Sequence, residues 1–366
     1  MPSLLLSAVA VLATLLPATL AQTHTDCNPL NTTSCPNMPA LSGNATFHFN
    51  DTINNKIWKE RNAGKHDWSE KGYTFTIDSR GDAPMVQSSF YMMFGRMEVI
   101  MKAAPGQGII SSAILQSEDL DEIDWEFRGG NQTEIMTNYY GKGNTTFDPS
   151  RGKEFVKANA QSDFHNYTLD WTKERIQWWM DDEMLRELTP DMALGGKNYP
   201  QTPMNIRMGI WAGGDTKNNE KGVVEWAGGE TDFSKAPFTM TVQQVYAIDY
   251  TKAKEYSWEN MDASGSFEKV KIIEGDSEVL EEIQKPHGVK NRWTALSKTA
   301  QIAIIASIAG FVVICTCLIT FCCIKQRRAG RREFAAIQAN QDKEAAELLE
   351  YKRQMAQGRF AQGNYI

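Results

Sequence analysis

Cysteine is scarce in this chain. Six are present, and only Cys27 and Cys35 lie outside the apolar run Ile302–Ile324. That excludes a small scaffold held by many disulfides. Basic residues are outnumbered: the net charge is −7, with no basic stripe in the N-terminal two thirds. That argues against a nucleic-acid partner. No sustained 3.6-residue apolar period occurs between Ala45 and Lys252, and nothing repeats at a fixed spacing. A helical domain and a repeat array are both disfavoured there.

What fills that region is strand after strand. F-H-F, Y-T-F-T-I, S-F-Y-M-M-F, R-M-E-V-I-M-K, R-I-Q-W-W-M and F-T-M-T-V-Q-Q-V alternate or cluster β-formers between Gly, Pro, Asn and Asp. The expected fold is all-β: a two-sheet antiparallel jelly-roll sandwich with a concave catalytic cleft, plus one C-terminal transmembrane helix. Ten tryptophans suit either a β-rich core or a surface that stacks on flat ligands.

The ends read as targeting segments. Residues 1–21 are apolar and finish in A-T-L-A, as a secretory signal does. Residues 302–324 carry no charge and are long enough to cross a bilayer; Lys325, Arg327, Arg328, Arg331 and Arg332 follow. The expected plan is therefore a signal over 1–21, a Cys-bracketed segment over 22–44, a catalytic domain over 45–262, an extracellular stalk over 263–301, the span over 302–324 and a cytoplasmic tail over 325–366. A short helix is expected at S-E-V-L-E-E-I-Q in the stalk. Another is expected at A-A-E-L-L-E-Y-K-R-Q-M in an otherwise polar, mobile tail whose partner is unknown. In an oxidising compartment Cys27 and Cys35 would pair. Cys322 and Cys323, at the inner end of the span, suit either acylation or plain packing. The N-x-[ST] sequons at Asn31, Asn44, Asn50, Asn131, Asn144 and Asn166 all fall on the expected outer side.

D-E-I-D-W-E-F, Asp121–Phe127, is the anomaly. On a strand, Glu122, Asp124 and Glu126 share one face, and Ile123, Trp125 and Phe127 share the other. The second set suits a core. The first sets like charges side by side, so at least one carboxyl should hold its proton above the usual range. A protonated acid beside an ionised one is what retaining glycoside cleavage uses. A flat strand would separate Glu122 and Glu126 by roughly 13 Å between Cα atoms, so the sheet must curve. A solvated acidic strand is the plain alternative. A calcium loop is disfavoured, because it needs Gly turns and backbone carbonyls rather than Trp and Phe behind the acids. No metal set and no cofactor are expected.

This heptapeptide resembles the active-site strand of glycoside hydrolase family 16. The stretch Phe94–Phe127, N-Y-Y-G-K-G at 138–143, F-H-N-Y-T-L-D-W-T-K-E-R-I-Q-W-W at 164–179, V-E-W-A-G-G-E-T-D-F at 224–233 and C-N-P-L-N-T-T-S-C-P near the start resemble the fungal Crh subfamily of cell-wall transglycosylases. The resemblance implies Glu122 as nucleophile, Glu126 as acid/base and Asp124 as auxiliary. It also implies sugar contacts from Arg207, Trp211 and Thr231, and transfer of chitin to β-1,3- or β-1,6-glucan. Asn138, Tyr139, Tyr140, Trp226, Gln116 and one ring of Trp178–Trp179 are further candidates for the groove, each equally compatible with core or turn duty. His165 is better read as structural. The expected partners are chitin, β-glucan and a membrane. A glucan or chitin hydrolase and a non-enzymatic wall-binding receptor remain alternatives.

Overall fold

The computed structural model describes residues 24–32, 34–50, 53–146, 148, 150–157, 159–285 and 293–356. The leader expected over 1–21 lies outside them. The chain divides into two units, residues 1–286 and 287–366.

In the first unit, strand formation follows the two-residue period. Along Gly95–Lys102, Met97, Val99 and Met101 are buried, while Arg96, Glu98, Ile100 and Lys102 are only partly so. One face joins the core and the other meets water. Seven strands make one antiparallel sheet, in the order Lys153–Val156, Glu134–Tyr140, Glu122–Arg128, Ile109–Ser117, Met204–Ala212, Met85–Ser88 and Trp58–Arg61. The facing sheet runs Glu183–Leu188, Ile176–Met180, His165–Trp171, Gly95–Lys102, Phe238–Asp249, Gly72–Ile77 and Lys65–Ser69, with Asn44–His48 also paired to Phe238–Asp249. This is the jelly-roll-like sandwich the sequence suggested.

The core lies between the sheets. Ile123, Trp125 and Phe127 enter it from the acid-bearing strand and meet Tyr167 and Leu169 of the other sheet. The ring centroids of Phe127 and Tyr167 are 4.6 Å apart, edge to face. Two indoles tie the layers together: Trp125 Nε1 donates to Thr168 O at 3.3 Å, and Trp178 Nε1 donates to Asp124 O at 3.0 Å.

Cys27 and Cys35 form a disulfide, with Cα atoms 5.6 Å apart. Asn31, Asn44, Asn50 and Asn131 are exposed. Asn144 and Asn166 are partly buried, and their Nδ2 atoms already donate to Asn198 Oδ1 and Glu98 Oε2.

Two expectations need correction. Residues 263–285 are not a free stalk. Lys271–Ile273 pairs with Glu255–Ser257, and the helix Glu278–Gln284 packs Val279, Leu280 and Ile283 on the core. Ser277 caps that helix through Leu280 N at 3.0 Å and donates to Ala40 O at 2.6 Å. Val279, Leu280 and Ile283 stand at i, i+1 and i+4, on one side of the helix, and that side docks. In the second unit, helix Lys298–Ala356 runs unbroken through the apolar run and on through the segment expected to be a mobile tail. Ala, Glu, Gln, Lys and Arg dominate that segment, and all favour helix. By length and composition this helix can cross a membrane.

Candidate active site

Strand register sets the site. Glu122, Asp124 and Glu126 lie on the face opposite Ile123, Trp125 and Phe127. Cross-strand neighbours then form rows over the sheet. Glu122 lies between Gln116 and Tyr140, and Gln116 pairs in turn with Asn205. Asp124 lies between Ile114 and Asn138; Ile114 pairs with Arg207, and Arg207 with Gln87. Glu126 lies between Ser112 and Met136, and Ser112 pairs with Gly209. Ser112 and Gly209, both small, are the residues beside Glu126 in that row. A Cβ at Gly209 would stand 2.3 Å from Pro84 O, so only glycine fits there.

The chain enters the acid strand through a turn in which Leu120 has φ +67°. Asp121 is not a groove acid. Its carboxylate accepts from Lys142 N at 2.9 Å, Gln201 N at 2.7 Å and Thr202 N at 3.2 Å, and meets Lys142 Nζ at 3.2 Å. It knots three loops directly before Glu122. Asp119, buried beside it, has its pKa pushed up to about 7 by burial and then by Asp121.

The three groove acids are electrostatically frustrated. Burial first, then Glu126 and Glu122, hold the Asp124 carboxyl well above the carboxylate range, and neither of its buried oxygens has a hydrogen-bond partner among the described residues. Burial and then Glu122 push Glu126 up to about 8, against a smaller opposing pull from Arg128. Gln116 Nε2 donates to Glu122 Oε2 at 3.3 Å. Behind the strand, buried Arg186 binds Thr137 O at 3.0 Å and covers the Trp178 ring at 4.4 Å, and its charge works against the rise at Asp124. Among the described residues, no cluster of His, Cys, Asp and Glu could hold a metal ion.

Several expected residues converge here and others do not. Asn138 pairs with Asp124. Arg207 shares the Asp124 row but is almost wholly covered, at 1% exposure. Trp211, on the same strand face, stacks on Trp226, with centroids 6.1 Å apart and planes at 19°. Thr231 is buried against Gly108 and Gly214 near that end of the sheet, and its Oγ1 has no hydrogen-bond partner.

Tyr139 is corrected: it is a core residue paired with Ile123, and its hydroxyl bonds Asp148 at 2.9 Å and Ser150 at 2.6 Å. Tyr140 is the ring on the acid face. Trp178 is core, and Trp179 is partly exposed on the facing sheet rather than in the groove. His165 bonds Asp181 at 2.6 Å in that same sheet. Gln87, Ser112 and Asn205 share the acid-bearing face by register and were not foreseen. Asn205 stands two before Arg207, so strand alternation alone would have found it. The Gln87, Gln116 and Ser112 side chains each carry a buried oxygen without a hydrogen-bond partner, as a floor built for hydroxyl groups would.

The family profile of glycosyl hydrolases family 16 matches residues 50–228, which include the acid strand. A Crh-like protein of Arthroderma benhamiae is 49% identical over 90% of this chain and 90% of its own length. The chain belongs to the Crh-like group of glycosyl hydrolase family 16. Crh-like protein 2 of Botryotinia fuckeliana is 46% identical over 93% of this chain and 75% of its own. Among solved structures, apo Crh5 transglycosylase superposes with a TM-score of 0.63 at 44% identity, covering 67% of this chain and all of that one. Crh5 transglycosylase in complex with NAG matches at 45% identity with the same TM-score, covering 67% of this chain and 99% of that one. The Crh-like matches and the acid-lined face agree on a glycosyl-transferring enzyme.

Proposed function

We propose that this protein is a cell-wall transglycosylase that cleaves chitin by retaining double displacement and passes the released chain to β-1,3- or β-1,6-glucan. The observation that carries this is the placement of Glu122, Asp124 and Glu126 on one strand face, where burial and Glu122 push the Glu126 carboxyl above its usual range. In the first step Glu126 protonates the leaving sugar oxygen as a Glu122 carboxylate oxygen attacks the anomeric carbon. The glycosidic bond breaks and a glycosyl ester forms. Asp124, the next acid along the same strand face, orients Glu122 and modulates its protonation. In the second step ionised Glu126 takes the proton from an acceptor hydroxyl, which displaces Glu122. Holding that hydroxyl in a groove raises its effective concentration over water. Tyr140, Asn138, Trp211 and Trp226 supply stacking and hydrogen bonds.

The NAG complex of a Crh5 transglycosylase supports a chitin-type sugar as donor. The apolar helix and the basic cluster after it support a type I membrane protein acting outside the plasma membrane. Chitin oligomers incubated with a fluorescent β-1,3-glucan oligomer test the reading. A larger labelled product, absent with Glu122→Gln, is expected. Shortened chitin or glucan with no labelled adduct would make the protein a hydrolase instead.

A further inference from the structure

The segment just before the Cys27–Cys35 bridge lies across the groove. Arg207 Nη1 donates to His24 O at 2.9 Å, and His24 Nδ1 stands 3.4 Å from the same nitrogen. Thr25 Oγ1 donates to Glu118 Oε2, whose partner oxygen takes the Tyr91 hydroxyl at 2.5 Å. Asp26 lies 3.9 Å from Arg61, on the outermost strand of this sheet. Three residues thus bar the face between Arg207 and Arg61.

Position makes this contact matter. Arg207 lies in the Asp124 row, two strands away, or roughly 10 Å across the sheet. A polymer that crosses the strands along the Asp124 row passes over Arg207. Beside the strap is a cavity of about 450 Å³, bordered by Arg61, Gln87 and Glu118 and by Asp26, Cys27 and Cys35 of the bridged segment itself. The strap's contacts on Arg207 and Glu118 are polar and few, and hydroxyl groups of a sugar can replace each of them.

We propose that His24–Asp26 is a displaceable strap that occupies a polysaccharide subsite at Arg207 and Glu118, and that a β-linked chain long enough to reach past Arg207 must lift it. This rests on the polysaccharide reading of the groove. The strap lowers the apparent affinity for long chains by the fraction of molecules in which it is open, and leaves short oligomers bound near the acids unaffected.

The test uses the full chain in detergent micelles with Glu122→Gln, so that ligand survives. Calorimetry follows chitin oligomers of increasing length. Deleting residues 22–26, so that no residue after the expected leader precedes Cys27, should tighten binding of the longest oligomers by about tenfold, with no gain for chitobiose. The double substitution Thr25→Ala, Asp26→Ala should give a smaller gain of the same length dependence. Hydrogen exchange supplies a readout in the unaltered strap: a long oligomer should speed exchange of the Cys27 amide, which donates to Thr25 Oγ1 at 3.1 Å. Unchanged or weaker binding in variants that keep the Cys27–Cys35 bridge and their thermal transition would overturn the proposal. So would added protection of the strap on ligand binding. If neither the parent nor the variants bind any chitin or glucan oligomer, the polysaccharide reading itself falls and takes the strap with it.

Discussion

Trp178 Nε1 donates to the main-chain oxygen of Asp124, the central acid, at 3.0 Å from the opposite sheet. Trp125 returns the bond at 3.3 Å, from the acid strand to Thr168 O. The acids are therefore held from behind by the core. Replacing Trp178 with Phe keeps most of the ring and removes the bond. It should cost about 1–2 kcal/mol by urea denaturation and lower kcat more than it alters KM. Trp179→Phe, on the partly exposed face, should cost less than about 0.5 kcal/mol.

Glu126 carries a pH signature. Its folded pKa, about 8, lies above the unfolded value of roughly 4.3. The stability tied to its proton is full below the unfolded value and is lost as pH rises through the folded one. Asp124 shifts in the same direction. Glu126→Gln should therefore raise Tm relative to the parent near pH 8 and leave it unchanged near pH 4. A difference that grew toward acid would contradict the assignment. The same substitution should slow turnover of natural glycosides by about 10²–10⁴-fold and remove the alkaline limb of the rate profile.

Tyr139 and Tyr140 are neighbours with opposite duties. Tyr139→Phe removes bonds to Asp148 and Ser150 inside the fold, so it should lower stability by about 1 kcal/mol with KM unchanged. Tyr140→Ala should raise KM severalfold with a smaller loss of stability. Steady-state kinetics beside thermal melts separate the two.

Trp226 stacks on Trp211 and lies under the Arg128 guanidinium, 5.7 Å from Cζ to the ring centroid. Trp226→Ala should weaken long-oligomer binding by about tenfold, the worth of a lost stacking ring, and leave the rate on activated short donors nearly unchanged. Titration by intrinsic fluorescence checks it.

Much of this was legible in the sequence, for a stated reason. The strand period is two, so seven letters placed three acids on one face and three apolar residues on the other. The cysteine pair and the helix after Ser277 were equally local. What escaped depended on partners far along the chain. Tyr139 and Tyr140 look alike until register sets one opposite Ile123 and the other opposite Glu122. Asp121 belongs to the acid run by sequence, and only Gln201, Thr202 and Lys142 reveal it as a knot. Residues 263–285 look polar enough for a stalk, and only the strand Glu255–Ser257 and the core surface under Leu280 show why they fold back. Arg207 was foreseen as a sugar contact; that His24 already covers it could not be read from either residue.

The role of Glu122 is tested most directly by trapping its ester. With Glu126→Gln and an aryl chitotrioside, the leaving phenol needs no proton, while the missing base slows the second step. Rapid quench, proteolysis and mass spectrometry should find a chitotriosyl adduct on the peptide bearing Glu122, absent when Glu122→Gln is added. Release of the phenol with no adduct, and with an oxazoline formed from the substrate's own acetamide, would contradict the account.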